Sequence, residues 1–422
     1  MFSKLTYGEK LQPIVNEIEV KIANVLQQID QRIDVNQFRV LSSFQNHKVS
    51  DSHFTPTTGY GYDDNGRDTL EEIYAEVFGG EAALVRPQIV SGTHAISIAL
   101  FGILRPGDEL LYITGKPYDT LEEIVGIRGN GVGSLKEFGI TYNSVDLLES
   151  GYVDYEAIAR AIKPNTKMIG IQRSKGYATR PSFTIAQINE MIQFVKEIKS
   201  DVVVFVDNCY GEFVEEQEPC HVGADLMAGS LIKNPGGGLA KTGGYLVGKE
   251  KFVEACSYRL TSPGLGAEAG ASLYSLQEMY QGFFMAPHIV GQALKGAVFT
   301  AAILERLGMN PSPKWDAERT DLIQSVQFND RDKMIAFCQA IQYASPINSY
   351  VTPYPSAMPG YKDEVIMAAG AFNQGASIEL SADGPIRPPF TAYVQGGLTY
   401  SHVKIAICIA LNGLVEKGLV EL

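Results

Sequence analysis

The chain has 422 residues, 45% of them hydrophobic and 20% charged, with a formal net charge of −13. That length suits two to three domains of about 150 residues each, with a large core. The acidic balance argues against a nucleic acid or an anionic membrane as the main partner, though a locally basic cleft is still allowed.

The N-terminal segment places Leu11, Ile14, Val15, Ile18, Ile22, Val25, Leu26 and Ile29 on one helical stripe. A helical arm over residues 1–60 follows, and its stripe needs a surface to bury against. A partner subunit or the chain's own small domain can supply it. A short helix is expected over 69–78. Next, Ala82-Ala83-Leu84-Val85 precedes Ser91-Gly92-Thr93-His94-Ala95, which opens an apolar run over 96–104. That is a turn leading into a helix. From about 80 to 250 strands and helices alternate as in parallel α/β units, with candidate strands at 110–113, 167–171 and 202–206. The last of these, Val202-Val203-Val204-Phe205-Val206, ends in Asp207. A continuous apolar run ending in an acid reads as a buried parallel strand with the acid at its tip. Gly223-Ala224-Asp225-Leu226-Met227-Ala228-Gly229-Ser230 reads as another strand, closely followed by Lys233, and the Gly-rich stretch 234–244 leads to a strand at 245–247. These segments form a large α/β domain over 61–265. A long helical stretch then runs to Leu307, residues 311–313 mark a break, and 376–381 and 390–395 read as two strands of a C-terminal α/β domain over 266–422.

Open α/β sheets bind ligands outside the carboxyl ends of their strands. A carboxylate and an amine delivered there together fit pyridoxal 5'-phosphate (PLP), which needs a lysine for its Schiff base and an acid at its ring nitrogen. Lys233 and Asp207 are the candidates, with Lys241 and Lys175 as rival lysines. The helix start at Ser91, Gly92, Thr93 and His94 is a ready site for the phosphate, because free N–H groups and the positive dipole end face it. An ordinary Ser/Thr N-cap gives the same pattern. Ser230 adds a hydroxyl. Neither GxGxxG nor HExxH occurs, and no acidic metal cluster stands out, so a dinucleotide fold is weakly supported and no metal is expected. Five scattered cysteines without a CxxC pair, no secretory h-region, and no apolar run long enough to span a bilayer give a cytoplasmic reading.

The order Ser91-Gly92-Thr93-His94-Ala95, a strand ending in Asp207, and 223–233 resembles PLP enzymes of the aspartate aminotransferase fold (fold type I). Together with Gly59-Tyr60-Gly61-Tyr62-Asp63-Asp64-Asn65-Gly66-Arg67, 83–88 and 230–238, it resembles the methionine gamma-lyase and cystathionine beta-lyase group, in the branch associated with aluminium resistance. The resemblance implies that Lys233 carries the imine and then serves as base, and that Asp207 pairs with the ring nitrogen. It further implies that Gly92, Thr93 and Ser230 hold the phosphate, and that Tyr118 stacks on the ring, with His94 as the alternative. Tyr62 or Tyr60, with Arg67, would reach the phosphate from a neighbouring subunit in a homodimer or homotetramer. Arg67 could instead pair with Glu71 on its own helix. Arg387 would clamp the substrate carboxylate, or be a surface turn residue. The basic loop of Arg173 and Lys175 departs from the family pattern; it binds an acidic substrate, replaces contacts to the ring oxygen, or is solvated. The implied activity is a carbon–sulfur lyase acting on a sulfur-containing amino acid. Aldol cleavage, transamination and PLP binding without turnover are the alternatives.

Overall fold

The computed structural model describes residues 2–358 and 361–422. It opens on helix α1 (Gly8–Asn46). The chain divides into two compact units: Asn36–Phe284, and residues up to Val35 together with Met285–Leu422.

In the first unit the elements run α2 (Asn65–Phe78), β1 (Ala82–Arg86), α3 (Gly92–Ile103), β2 (Glu109–Tyr112), α4 (Glu122–Val125), β3 (Thr141–Ser144), α5 (Tyr155–Ala161), β4 (Thr166–Gln172), α6 (Ile185–Ile198), β5 (Val203–Asp207), β6 (Leu226–Ser230), β7 (Gly244–Gly248) and α7 (Glu250–Leu260). The strands form one sheet in the order β1-β7-β6-β5-β4-β2-β3. β2 to β6 pair in parallel, and β7 runs antiparallel to both of its neighbours, β6 and β1. This is the mostly parallel sheet of an α/β fold. Every residue of β5 and β6 is buried, as expected for parallel strands covered on both faces. One core cluster joins Leu84 of β1, Ala95, Ile98 and Ala99 of α3, Phe205 of β5 and Leu246 of β7. α3 is thereby seated against the sheet with its N-terminus at the carboxyl edge. The helix starts are specified locally. Asp64 accepts from the Arg67 N–H to cap α2, and Thr184 and Gln187 form a reciprocal capping box on α6.

The second unit contains α8 (Leu276–Arg306) from Met285 onward, then β8 (Asn310–Ser312), β9 (Gln324–Gln327), α9 (Arg331–Tyr343), β10 (Val365–Ala368), β11 (Ser381–Pro385), β12 (Thr391–Gln395) and α10 (Tyr400–Glu416). Its sheet is antiparallel throughout, in the order β10-β11-β12-β9-β8. The first turns of α1 belong to this unit. Leu11, Val15, Ile18, Ile22 and Ile29 are buried there, and Glu17, Glu19 and Asp30 pair with Arg306, Lys404 and Lys295. The chain's own fold buries these five residues of the stripe.

The strand expected at 376–381 lies further on. Residues 381–385 make the ladder, while Ala376, Ile378 and Leu380 are buried without joining it. Glu379 accepts from the N–H groups of Phe372 (2.8 Å) and Asn373 (2.9 Å), which ties this segment to the preceding loop instead.

Candidate active site

Asp207 ends β5, and Lys233 follows β6 by three residues, so both emerge at the carboxyl edge of the sheet. They line one pocket with Gly92, Thr93, Ile96, Tyr118, Thr120, Leu121, Gln172, Ser174, Gly176, Cys209 and Tyr210. Gln172 is the last residue of β4 and sits opposite Asp207 in register. The Asp207 carboxylate accepts from the Cys209 N–H at 3.2 Å. Burial raises the pKa of Asp207, against the opposing pull of Lys233, Cys209 and Arg180. A buried acid of this kind gains strongly from a cationic partner. The Lys233 ammonium lies 4.1 Å from the centre of the Tyr210 ring. Burial works against its charge, yet Cys209, Tyr210, Asp207 and Glu212 outweigh that and hold the ammonium above the ordinary lysine range.

Ser91 caps α3, accepting from the His94 N–H at 3.0 Å. The N–H groups of Gly92 and Thr93 are then left without acceptors inside the helix. A β-carbon on Gly92 would lie 3.2 Å from the Cys209 sulfur and 3.3 Å from Ser230 Cβ, so glycine keeps this cradle open. Thr93 meets the Thr120 hydroxyl at 3.2 Å. Ser230 is buried beneath the cradle, its hydroxyl accepting from the Ile232 N–H at 3.3 Å. The ring of Tyr118 packs against Gly176, where a β-carbon would come within 2.8 Å of it. A helix N-terminus with an open glycine cradle, an acid, an aromatic ring and a lysine form a donor set that fits PLP.

Several expected residues stand elsewhere. The His94 Nδ1 accepts from the Val90 N–H at 3.1 Å and fixes the turn before α3; Tyr118, not His94, lines the pocket. Arg173, expected to face substrate or solvent, is buried among acidic partners. It donates to Glu215 (2.7 Å), Glu218 (3.2 Å) and Asn208 (2.8 Å), which spend its charge inside the protein. Lys175 is also buried, so the basic loop is not solvated. Lys241 pairs with Glu278 at 2.5 Å, outside the pocket. Arg67 is enclosed by its own chain: its side chain is 3% exposed and donates to Asp68 (2.8 Å) and to the carbonyls of Gly61 (2.6 Å) and Gly270 (3.2 Å). The expected pair with Glu71 is made by Arg86 instead. Tyr60 and Tyr62 are exposed and stack on each other with ring centres 5.3 Å apart. Arg387, in the other unit, is half-exposed and pairs with Asp363 at 2.9 Å. Gln172, Ser174 and Tyr210 line the pocket without having been singled out in the sequence. Only the position of Gln172 at a strand tip could have flagged it.

The mostly parallel sheet and the cradle, acid and lysine at its carboxyl edge are those of a PLP-dependent lyase of the aspartate aminotransferase fold. The Escherichia coli pyridoxal-5'-phosphate dependent protein YhfS shares that fold at 16% identity, with a TM-score of 0.63 over 92% of this chain and 97% of its own. More particularly, the chain belongs to the methionine gamma-lyase family, whose model matches residues 11–415. It is 74% identical to the Bacillus subtilis (strain 168) protein YnbB over the whole of both chains. A Bacillus cereus protein of known structure is 79% identical, with a TM-score of 0.94 over 96% of this chain and 99% of the other. The structure of a carbon–sulfur lyase involved in aluminum resistance from Clostridium novyi NT is 50% identical, with a TM-score of 0.92 over 96% of each chain. Among the described residues, no helix is long and apolar enough to cross a membrane, and all five cysteines are free.

Proposed function

We propose that this protein is a PLP-dependent carbon–sulfur lyase that acts on a sulfur-containing amino acid; the Clostridium novyi relative is itself a carbon–sulfur lyase. The observation that carries the reading is the convergence of Asp207, Lys233 and the N-terminus of α3 on one pocket. Bound PLP supplies an electron sink for the carbanion left when an amino acid loses its α-proton. The N–H groups of Gly92 and Thr93 would hold the phosphate, with the Thr93 hydroxyl beside them. Tyr118 would lie against the ring and limit its tilt. Asp207 would keep a proton at the ring nitrogen, and its burial makes that ion pair strong. Lys233 would anchor the cofactor and, once displaced by the substrate amine, take the α-proton at its Nζ. In a homodimer or homotetramer, the exposed Tyr60 or Tyr62 is the residue of this chain that would extend toward a neighbour's phosphate.

The test is the visible spectrum of the purified protein beside Lys233→Ala, before and after borohydride. A yellow wild type that bleaches, with the band lost or shifted in the variant, supports the reading. A wild type that stays colourless after added PLP sinks it. Assays for ammonia, 2-oxo acid and thiol from sulfur amino acids then separate elimination from aldol cleavage and transamination.

A further inference from the structure

Arg319 is a buried cation whose surroundings leave it partly unpaired. It lies in the connection between β8 and β9 and is 5% exposed. Its Nη2 donates to the Gln324 Oε1 at 2.6 Å and to the Ala297 carbonyl at 3.4 Å. The Gln324 amide is held in that sense, because its Nε2 donates to the carbonyls of Pro313 and Ser325, both at 3.1 Å. Among the described residues, Nε and Nη1 of Arg319 have no hydrogen-bond partner. Burial lowers the Arg319 pKa to about 10, with Asp321 opposing it, so the guanidinium is charged at neutral pH. A buried charged group with unmade hydrogen bonds is costly and calls for an acceptor.

Arg319 lines a cavity of about 230 Å³ in the second unit. Val25, Ile29 and Arg32 follow one another at helical spacing on α1 and form one wall, and Leu294 and Val298, four residues apart on α8, form another. The exposed Asp316 and Glu318 complete the lining. None of these residues lines the pocket of Asp207 and Lys233. The volume is below the roughly 300–1,000 Å³ of drug-sized sites and suits a small metabolite. A bare ion such as phosphate would leave the aliphatic walls uncovered, and an apolar guest would leave the arginines unpaired. Guanidinium groups match a carboxylate, and the two acids match an ammonium. We infer that this cavity binds a free α-amino acid with an aliphatic side chain, its carboxylate toward Arg319 and Arg32, its ammonium toward Asp316 and Glu318, and its side chain between α1 and α8.

The test is isothermal titration calorimetry with L-norleucine on the full-length protein, treated first with borohydride so that no imine can form in the other pocket. L-norleucine is expected to saturate one site per chain. Hexanoate, which lacks the ammonium, and pentylamine, which lacks the carboxylate, are each expected to bind at least about tenfold more weakly. The fluorescence of Trp315, the single tryptophan of the chain and the neighbour of Asp316, should change with the same midpoint. Arg319→Gln is expected to weaken L-norleucine binding about tenfold or more, and Arg32→Gln several-fold. Circular dichroism establishes that each variant is folded. Where Arg319→Gln does not fold, the half-buried Arg32 decides through Arg32→Gln. No binding of L-norleucine up to about 10 mM overturns the inference. Hexanoate bound as tightly as L-norleucine overturns it too, by making the cavity a plain anion site. So does wild-type affinity in the folded arginine variants, which would place the binding elsewhere.

Discussion

Asp207 and Asp225 lie at opposite ends of adjacent parallel strands, and only the first should matter for the cofactor. Asp225 precedes β6 and is 2% exposed. Its Oδ2 accepts from the Val204 N–H (2.8 Å) and from Lys196 (2.7 Å), and its Oδ1 pairs with Lys249 (2.6 Å). Burial would raise its pKa, but the two lysines and the amide outweigh burial and hold it below the usual carboxylate range. In Asp225→Asn the amide oxygen can keep the Val204 bond, while its NH2 faces an ammonium. A charge-assisted hydrogen bond contributes about 1.5–3 kcal/mol. Lys196 is 26% exposed and near that range; Lys249 is 45% exposed, and solvent screening cuts its share to about 1 kcal/mol or less. The total is about 3 kcal/mol, which for a unit of this size lowers the melting temperature by roughly 6–12 °C. The pH dependence has a definite sign. A carboxyl with a depressed folded pKa stabilises above its unfolded value, near 3.9, and loses that contribution as pH falls through the folded value. The gap between wild type and variant should therefore be full at pH 7 and shrink below about pH 4. Differential scanning calorimetry and the visible spectrum test this together. A variant that melts with wild type at pH 7 but loses its yellow band would refute the assignment, because Asp225 would then be the functional acid.

Asp207→Asn is expected to behave in the opposite way, retaining its melting temperature within a few degrees and losing turnover by orders of magnitude in the product assay. Gly92→Ala crowds Cys209 and Ser230 and should weaken PLP binding about tenfold, measured by titration of the apo protein. Gly176→Ala places a β-carbon on a residue with φ 55° and against the Tyr118 ring, so it should lose cofactor on dialysis, whereas Tyr118→Phe should retain it. Arg86→Ala strands the buried Glu71 carboxyl and should cost about 3–5 kcal/mol in urea unfolding, without changing the spectrum of the folded protein.

The site was legible where local chemistry announces itself. The β-branched run before Asp207 permits little but a buried strand, and Ser91 ahead of an apolar run marks a helix start; both stand where expected. Legibility failed where the partner is distant in sequence. Arg173 and Lys175 looked solvated or substrate-facing because Glu215 and Glu218, which neutralise Arg173, come more than 40 residues later. Arg67 looked available in part because one of its acceptors, the carbonyl of Gly270, lies 203 residues later. β11, Ser-Ala-Asp-Gly-Pro, lacks an apolar signature and becomes a strand only through its neighbours β10 and β12.

The reversed strand β7 has a topological consequence. It separates β1, whose continuation builds the anion cradle, from β6, whose continuation carries the lysine. The segment after β1 crosses over β7 to reach the tips of β6 and β5, where Gly92 stands against Ser230 and Cys209. The cradle, the acid and the lysine are therefore gathered at one edge by strands that are not all neighbours in the sheet. Surrounding loops can change while that arrangement stays fixed by backbone hydrogen bonds, which no side-chain substitution resets.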